Sequence, residues 1–314
     1  MLTKILAILA LLTLFFIISK SADLIVVHLR KTGEKLGIKI FFLGIILGIM
    51  TSLPEMAIGI NSTISGISTI SFGNLLGGII VLFGLVMAIS AILNRKIHTE
   101  KKAWPFLITL IFLFLPLILG FKGQLNYIDG ILLIAGYLLL IFYLYKNHRQ
   151  IGSLGIEIVN RKEINKHLMF ILIGIVGLII SSELIVRTTI FILQDYNISI
   201  FIVGLLFYAI GTNLPELIIA IRSFKRKAED LSFSNLIGSA MSNTLMLGIL
   251  SVIKTIEIEI DLPYIFLMFF TLALFIVLFI FYKTDRLLSR REGFFLLLMY
   301  LVFLSGQIFI QIKY

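Results

Sequence analysis

Two glutamates need either a partner or a task. Glu55 and Glu216 each lie inside a long apolar run, where an ionised carboxylate costs about 2.5–3.5 kcal/mol on insertion scales. Neither has a Lys or Arg within four residues, so its charge is not neutralised locally. Each directly follows a proline, Pro54 or Pro215. Proline lacks an N–H and clashes with the carbonyl four residues back, so a helix passing through these positions leaves the carbonyls of Met50 and Gly211 without donors. Free carbonyls at membrane depth are tolerated only where they face protein or line a cavity. Carboxylates beside free carbonyls make a site for a hard cation. Calcium takes about 6–8 oxygen ligands. The two carboxylates, the Met50 and Gly211 carbonyls and the Thr51 and Thr212 hydroxyls are candidates, and two negative charges balance one divalent ion.

Other titratable residues read differently. Lys20 precedes Asp23 by three residues and Arg187 follows Glu183 by four, spacings that pair on a helix, so both are expected to be structural ion pairs. The four histidines (28, 98, 148 and 167) fall at helix ends or in loops and there is no cysteine. Zinc or copper ligation is therefore not expected, and disulfides and thiol redox chemistry are excluded. With no mid-span His and no H-E-x-x-H motif, an intramembrane enzyme has no candidate machinery. No enzymatic activity is expected, and no cofactor beyond transported ions. Asn235, Ser239 and Asn243 are four apart and share one face of an apolar helix. Helix–helix hydrogen bonding accounts for such a stripe taken alone, but a helical hairpin would set it opposite Glu216.

The elements that must position these groups follow from an internal repeat. Thr51-Ser52-Leu53-Pro54-Glu55 recurs as Thr212-Asn213-Leu214-Pro215-Glu216, and Asn74-Leu75-Leu76-Gly77 as Asn235-Leu236-Ile237-Gly238, every pair offset by 161. The surrounding chain is 59% hydrophobic and 14% charged, a composition of polytopic membrane proteins with no room for a sizeable soluble domain. Stretches of about 20 residues that can cross a bilayer read at 3–29, 38–65, 70–93, 103–121, 127–145, 168–193, 198–221, 233–253, 262–282 and 293–312. The first is read as a span because it lacks a clear small-residue cleavage site.

The expected fold is therefore an all-α membrane protein of about ten transmembrane helices. Equivalent helices are five apart, an odd number, so the two five-helix repeats should be inverted, with helices 2 and 7 broken at Pro54 and Pro215 and the substrate at the midplane between the copies. The expected units are 1–146 and 168–314, joined by a linker at 147–167. Of the 27 basic residues, 21 fall in alternate loops. This places those loops and the linker in the cytoplasm and both termini outside a cell membrane. The net charge of +10 lies in short clusters between apolar runs rather than along one face, so the expected partner is the lipid bilayer and not nucleic acid. The sequence carries no signal for an oligomeric state.

These two blocks resemble the paired alpha-repeats of the cation/calcium exchanger superfamily, specifically its sodium/calcium exchanger branch. The family pattern runs roughly G-T-S-x-P-E, about twenty residues, then G-N-x-x-G-S-N-x-x-N. Here the first half reads Met50-Thr51-Ser52-Leu53-Pro54-Glu55 with Gly73-Asn74-Leu75-Leu76-Gly77-Gly78-Ile79-Ile80-Val81-Leu82. The second reads Gly211-Thr212-Asn213-Leu214-Pro215-Glu216 with Ser234-Asn235-Leu236-Ile237-Gly238-Ser239-Ala240-Met241-Ser242-Asn243. The resemblance implies ion ligands at Thr51, Ser52, Glu55, Thr212, Asn213, Glu216, Ser239 and Asn243. It also implies antiport of Ca2+ against Na+ by alternating access. The first half departs from the pattern at Gly78 and Leu82, where a Ser and an Asn are expected, so two oxygen ligands are missing. That loss leaves H+ as an alternative counter-ion, and a non-transporting ion-binding relative as a further alternative.

Overall fold

The structure is a computed structural model that describes residues 2–35, 49, 52–94, 96–98, 103–147, 161–193, 198–214, 216–217, 230–283 and 287–313. Ten helical segments follow one another in the described chain: α1 (Leu2–Lys35), α2 (Leu53–Ile64), α3 (Ser68–Ile80, passing through a π-helical turn at Val81–Val86 into Met87–Asn94), α4 (Ala103–Gly120), α5 (Tyr127–Asn147), α6 (Arg161–Leu193), α7 (Ile200–Ile202, passing through a π-helical turn at Val203–Tyr208 into Ala209–Thr212), α8 (Asp230–Ile253), α9 (Leu262–Lys283) and α10 (Arg290–Lys313). Eight of them, all but α2 and α7, are long and apolar enough to cross a membrane. The chain is a multi-pass helical membrane protein.

Two helices exceed their apolar stretches. α1 continues to Lys35 and α6 begins at Arg161, within the segment 147–167 expected as linker; residues 148–160 lie outside the described residues. Hydropathy marks only the part of a helix in hydrocarbon, and the polar turns beyond it still close their own backbone bonds.

α3 and α8 lie in the interior. Of the spanning stretches of α3 and α8, 83% and 72% of residues are buried, against 28% for α1 and 33% for α6. α3 crosses α7 at backbone distance, because neither helix carries side chains at the crossing. A Cβ on Gly73 would sit 2.4 Å from the Phe201 carbonyl oxygen, one on Gly77 2.2 Å from that of Leu205, and one on Gly204 2.1 Å from that of Ile70. Small residues at such crossings let membrane helices approach and pack. The main core runs through α3, α4, α5, α8, α9 and α10, while a second cluster joins α1 and α6 to α2, α3 and α7 through Phe15, Ile18, Ile58, Ile185 and Tyr208.

Helix starts are chemically specified. Asn126 caps α5 by accepting the Ile128 and Asp129 N–H groups, and Asp129 accepts the Asn126 N–H in return. Ser289 and Glu292 make the same reciprocal pair at the start of α10, a capping box in both cases. Short strands tie the links together. β1 (Lys96–His98) pairs antiparallel with β4 (Leu287–Ser289), and β2 (Gln124–Leu125) with β3 (Ile256–Glu257).

Candidate cation site

α2 starts abruptly. Ser52 precedes it with φ −90°, ψ 15°, Pro54 occupies its first turn, and the Ser52 hydroxyl does not cap the helix. Asn213, the repeat equivalent of Ser52, ends α7 with almost the same backbone, φ −90°, ψ 12°. Met56 N–H donates to the Ser52 carbonyl at 3.0 Å and Leu217 N–H to the Asn213 carbonyl at 3.1 Å, again in equivalent positions. Met50, Thr51 and Pro215 lie outside the described residues. So does the side chain of Asn235.

These local geometries put Glu55 and Glu216 in the interior, 2% and 3% exposed. The two carboxylates are near enough to act on one another electrostatically. One oxygen of each, Oε2, is buried with no hydrogen-bond partner among the described residues. The Thr212 hydroxyl lies within reach of the Glu55 carboxylate, 3.2 Å from Asn74 Oδ1 and 3.0 Å from the Tyr208 carbonyl oxygen. One hydroxyl proton thus faces three acceptors. Buried carboxylates are costly unless something positive meets them, and a hard cation supplies that charge.

The remaining predicted side chains divide. Ser52, Ser239 and Asn243 are buried, and Asn213 and Asn243 converge. Asn213 Nδ2 donates to the Ala209 carbonyl at 2.8 Å, and Asn243 Nδ2 to the Leu75 carbonyl at 3.3 Å. Both amides sit over Gly78, where a Cβ would be 2.6 Å from Asn243 Nδ2 and 3.1 Å from Asn213 Nδ2. Gly211 is buried against the Phe15 ring, which a Cβ would strike at 2.5 Å. Leu82, at the expected Asn position, is fully buried in the main core within the π-helical turn of α3.

Asn74 was not singled out as a ligand from sequence, yet it bridges the halves by accepting from Thr212 and leaves its Nδ2 unpartnered. Its signal was available: Asn74 and Asn235 are matched in the repeat. The two expected ion pairs form, Lys20–Asp23 at 3.6 Å and Arg187–Glu183 at 2.6 Å, with all four side chains roughly half exposed or more.

The family described as sodium/calcium exchanger protein matches residues 6–146 and 166–309. The chain is similar to an uncharacterized membrane protein of Methanocaldococcus jannaschii, 28% identical over 226 residues that cover 71% of this chain and 73% of that protein. It is also similar to the sodium/calcium exchanger MaX1 of Methanosarcina acetivorans, 23% identical over 94% of this chain and 96% of the relative. Among solved structures it resembles the sodium-calcium exchanger NCX_Mj soaked with Na+ and Sr2+, with a TM-score of 0.67 and 25% identity over 96% of this chain and 98% of the other.

Proposed function

The chain belongs to the sodium/calcium exchanger protein family, a family of transporters rather than enzymes, and on that premise we propose that it is a secondary-active antiporter exchanging Ca2+ for Na+ by alternating access. The observation that carries this reading is the pair of buried carboxylate oxygens, one from each half of the chain, with no partner among the described residues. Such a pair has no structural reward, whereas a divalent cation satisfies both charges at once. The ligand set is Glu55 and Glu216 with Thr51, Ser52, Thr212, Asn213, Ser239 and Asn243, completed by the Met50 and Gly211 carbonyls.

The layout is ten helices in two inverted repeats, 1–146 and 168–314, with helices 2 and 7 broken at Pro54 and Pro215. Three observations support it. Ser52 and Asn213, 161 residues apart, share one non-helical conformation. The link after α3 pairs with the link after α9, and the link after α8 pairs with the link after α4, which is the exchange a two-fold axis between the halves produces. Helix contacts obey the same exchange: α5 packs on α8 as α10 packs on α3, and α3 packs on α7 as α8 packs on α2. With basic loops inside, both termini face outward.

Na+ is preferred over H+ as counter-ion because the cluster retains neutral oxygens, Thr212, Ser239 and Asn243, suited to a monovalent hard cation. Reconstituted protein should take up radioactive Ca2+ when a Na+ gradient is imposed. Uptake driven only by a pH gradient would replace Na+ with H+, and no uptake under either gradient would overturn the antiport reading.

A further inference from the structure

α1 carries charge where its surroundings are apolar. Lys20 and Asp23 lie within its spanning stretch, Leu6–Leu29. At about 1.5 Å per residue, Asp23 is about 8 Å from the middle of that stretch, inside a hydrocarbon layer that reaches about 15 Å to either side. Yet the two side chains are 50% and 45% exposed, and their charged atoms stand 3.6 Å apart, too far for a hydrogen bond. A lysine can snorkel toward the headgroups, whereas an aspartate is too short to do so. A half-exposed carboxylate at that depth is tolerated where it faces a water-filled cavity.

The face that carries Asp23 leads to Glu216. Phe15, Ser19 and Asp23 are four apart and share one face of α1. Phe15 lies against Tyr208, with ring centroids 5.4 Å apart, and against Gly211, while Asp23 acts electrostatically on Glu216. The contacts advance in step along both segments, so α1 runs alongside the end of α7 and on toward the buried carboxylate. Ser19, one turn before Asp23, is 5% exposed, and its hydroxyl oxygen has no partner among the described residues. Thr13 and Ser21 on the same helix instead donate to the carbonyl four residues back. A buried, unengaged hydroxyl one turn from a carboxylate is an oxygen that a hard cation can use.

We propose, resting on the antiport reading above, that Asp23 is a second cation position, an entry station from which a hard cation, Ca2+ or Na+, passes along Ser19 to Glu216. Lys20 is the counter-ion that occupies Asp23 between passages, and an arriving cation takes its place. The pair on α6 is built differently. Arg187 and Glu183 close to 2.6 Å, a direct charge-assisted hydrogen bond, so α6 holds a locked pair where α1 holds a loose one.

The test is the initial rate of Ca2+ uptake by proteoliposomes at sub-saturating Ca2+, read beside the melting temperature of each variant in detergent. Asp23→Asn is expected to slow uptake about tenfold, the scale on which a steering charge acts on cation entry. Asp23→Glu is expected to restore the parent rate, and Lys20→Gln to speed uptake, because Asp23 is then uncontested. Equal slowing and equal loss of melting temperature in Asp23→Asn and Lys20→Gln marks a structural ion pair and overturns the inference while leaving the antiport intact; unchanged rates in both do the same. Access is read separately in Lys20→Cys, which carries the sole thiol of its chain. A cationic methanethiosulfonate reagent is expected to label it, and Ca2+ to slow the labelling. No labelling places the pair in lipid and overturns the inference. If the parent carries no Ca2+ under a Na+ or a pH gradient, the antiport reading falls. Labelling that Ca2+ slows then still upholds a cation position at Asp23, and labelling indifferent to Ca2+ overturns it.

Discussion

At the scale of single residues, the proposed function rests on two carboxylates, each with a buried oxygen that has no partner among the described residues. Glu55→Gln and Glu216→Gln each replace an ionised oxygen by an amide and leave the other charge without its counterpart. Each is expected to abolish Ca2+ exchange in proteoliposomes while the protein still inserts and purifies as a folded species. Thr212→Val removes the one hydroxyl that reaches Glu55, Asn74 and the Tyr208 carbonyl. Losing a hydrogen bond to a charged group costs about 1.5–3 kcal/mol, so the Ca2+ concentration for half-maximal uptake is expected to rise about tenfold to a hundredfold. Glu55 and Glu216 were legible from sequence because an uncompensated charge in an apolar run is itself a signal. The reason for Gly78 was not. It lies in contacts with Asn213 and Asn243, which approach from the other half of the chain, and no local pattern encodes them. Asn74 escaped for the same reason, its partner Thr212 being 138 residues away.

At the scale of elements, the site depends on α3 and α7 crossing without side chains between them. Gly204→Ala places a Cβ 2.1 Å from the Ile70 carbonyl oxygen, so the helices must part and carry Asn74 away from Thr212. Thermal unfolding in detergent is expected at lower temperature, with exchange lost. Gly238→Ala, where nothing among the described residues lies within 4 Å, should behave as the parent in both measurements. The helices themselves were readable as apolar runs, and the Lys20–Asp23 and Glu183–Arg187 pairs as helical spacings. The π-helical turns at Val81–Val86 and Val203–Tyr208 were not, since one extra residue in a helical turn is set by how α3 and α7 pack rather than by composition. The strands β1 to β4 were equally hidden: each is two or three residues long, too short for an alternating pattern to register.

At the scale of the whole molecule, the proposed inverted layout rests on the 161-residue offset: the number of spans from one copy to the other is odd, which would set the copies in opposite senses. Native cysteines are absent, so single-cysteine variants give an unobstructed map of sidedness. Cysteines placed at Lys96 and Ser289, which pair across β1 and β4, are expected to react with an impermeant maleimide only from the cytoplasmic side. Those at Gln124 and Glu257, paired across β2 and β3, should react only from outside. Labelling of all four from one side would contradict the inverted layout. If the two halves hold one divalent cation between their glutamates, anomalous scattering from a crystal soaked in Sr2+ locates it. A single strong peak in contact with both Glu55 and Glu216, absent from the Glu55→Gln/Glu216→Gln variant, is the predicted result. A peak that contacts neither carboxylate, or one that persists in the double variant, would contradict it.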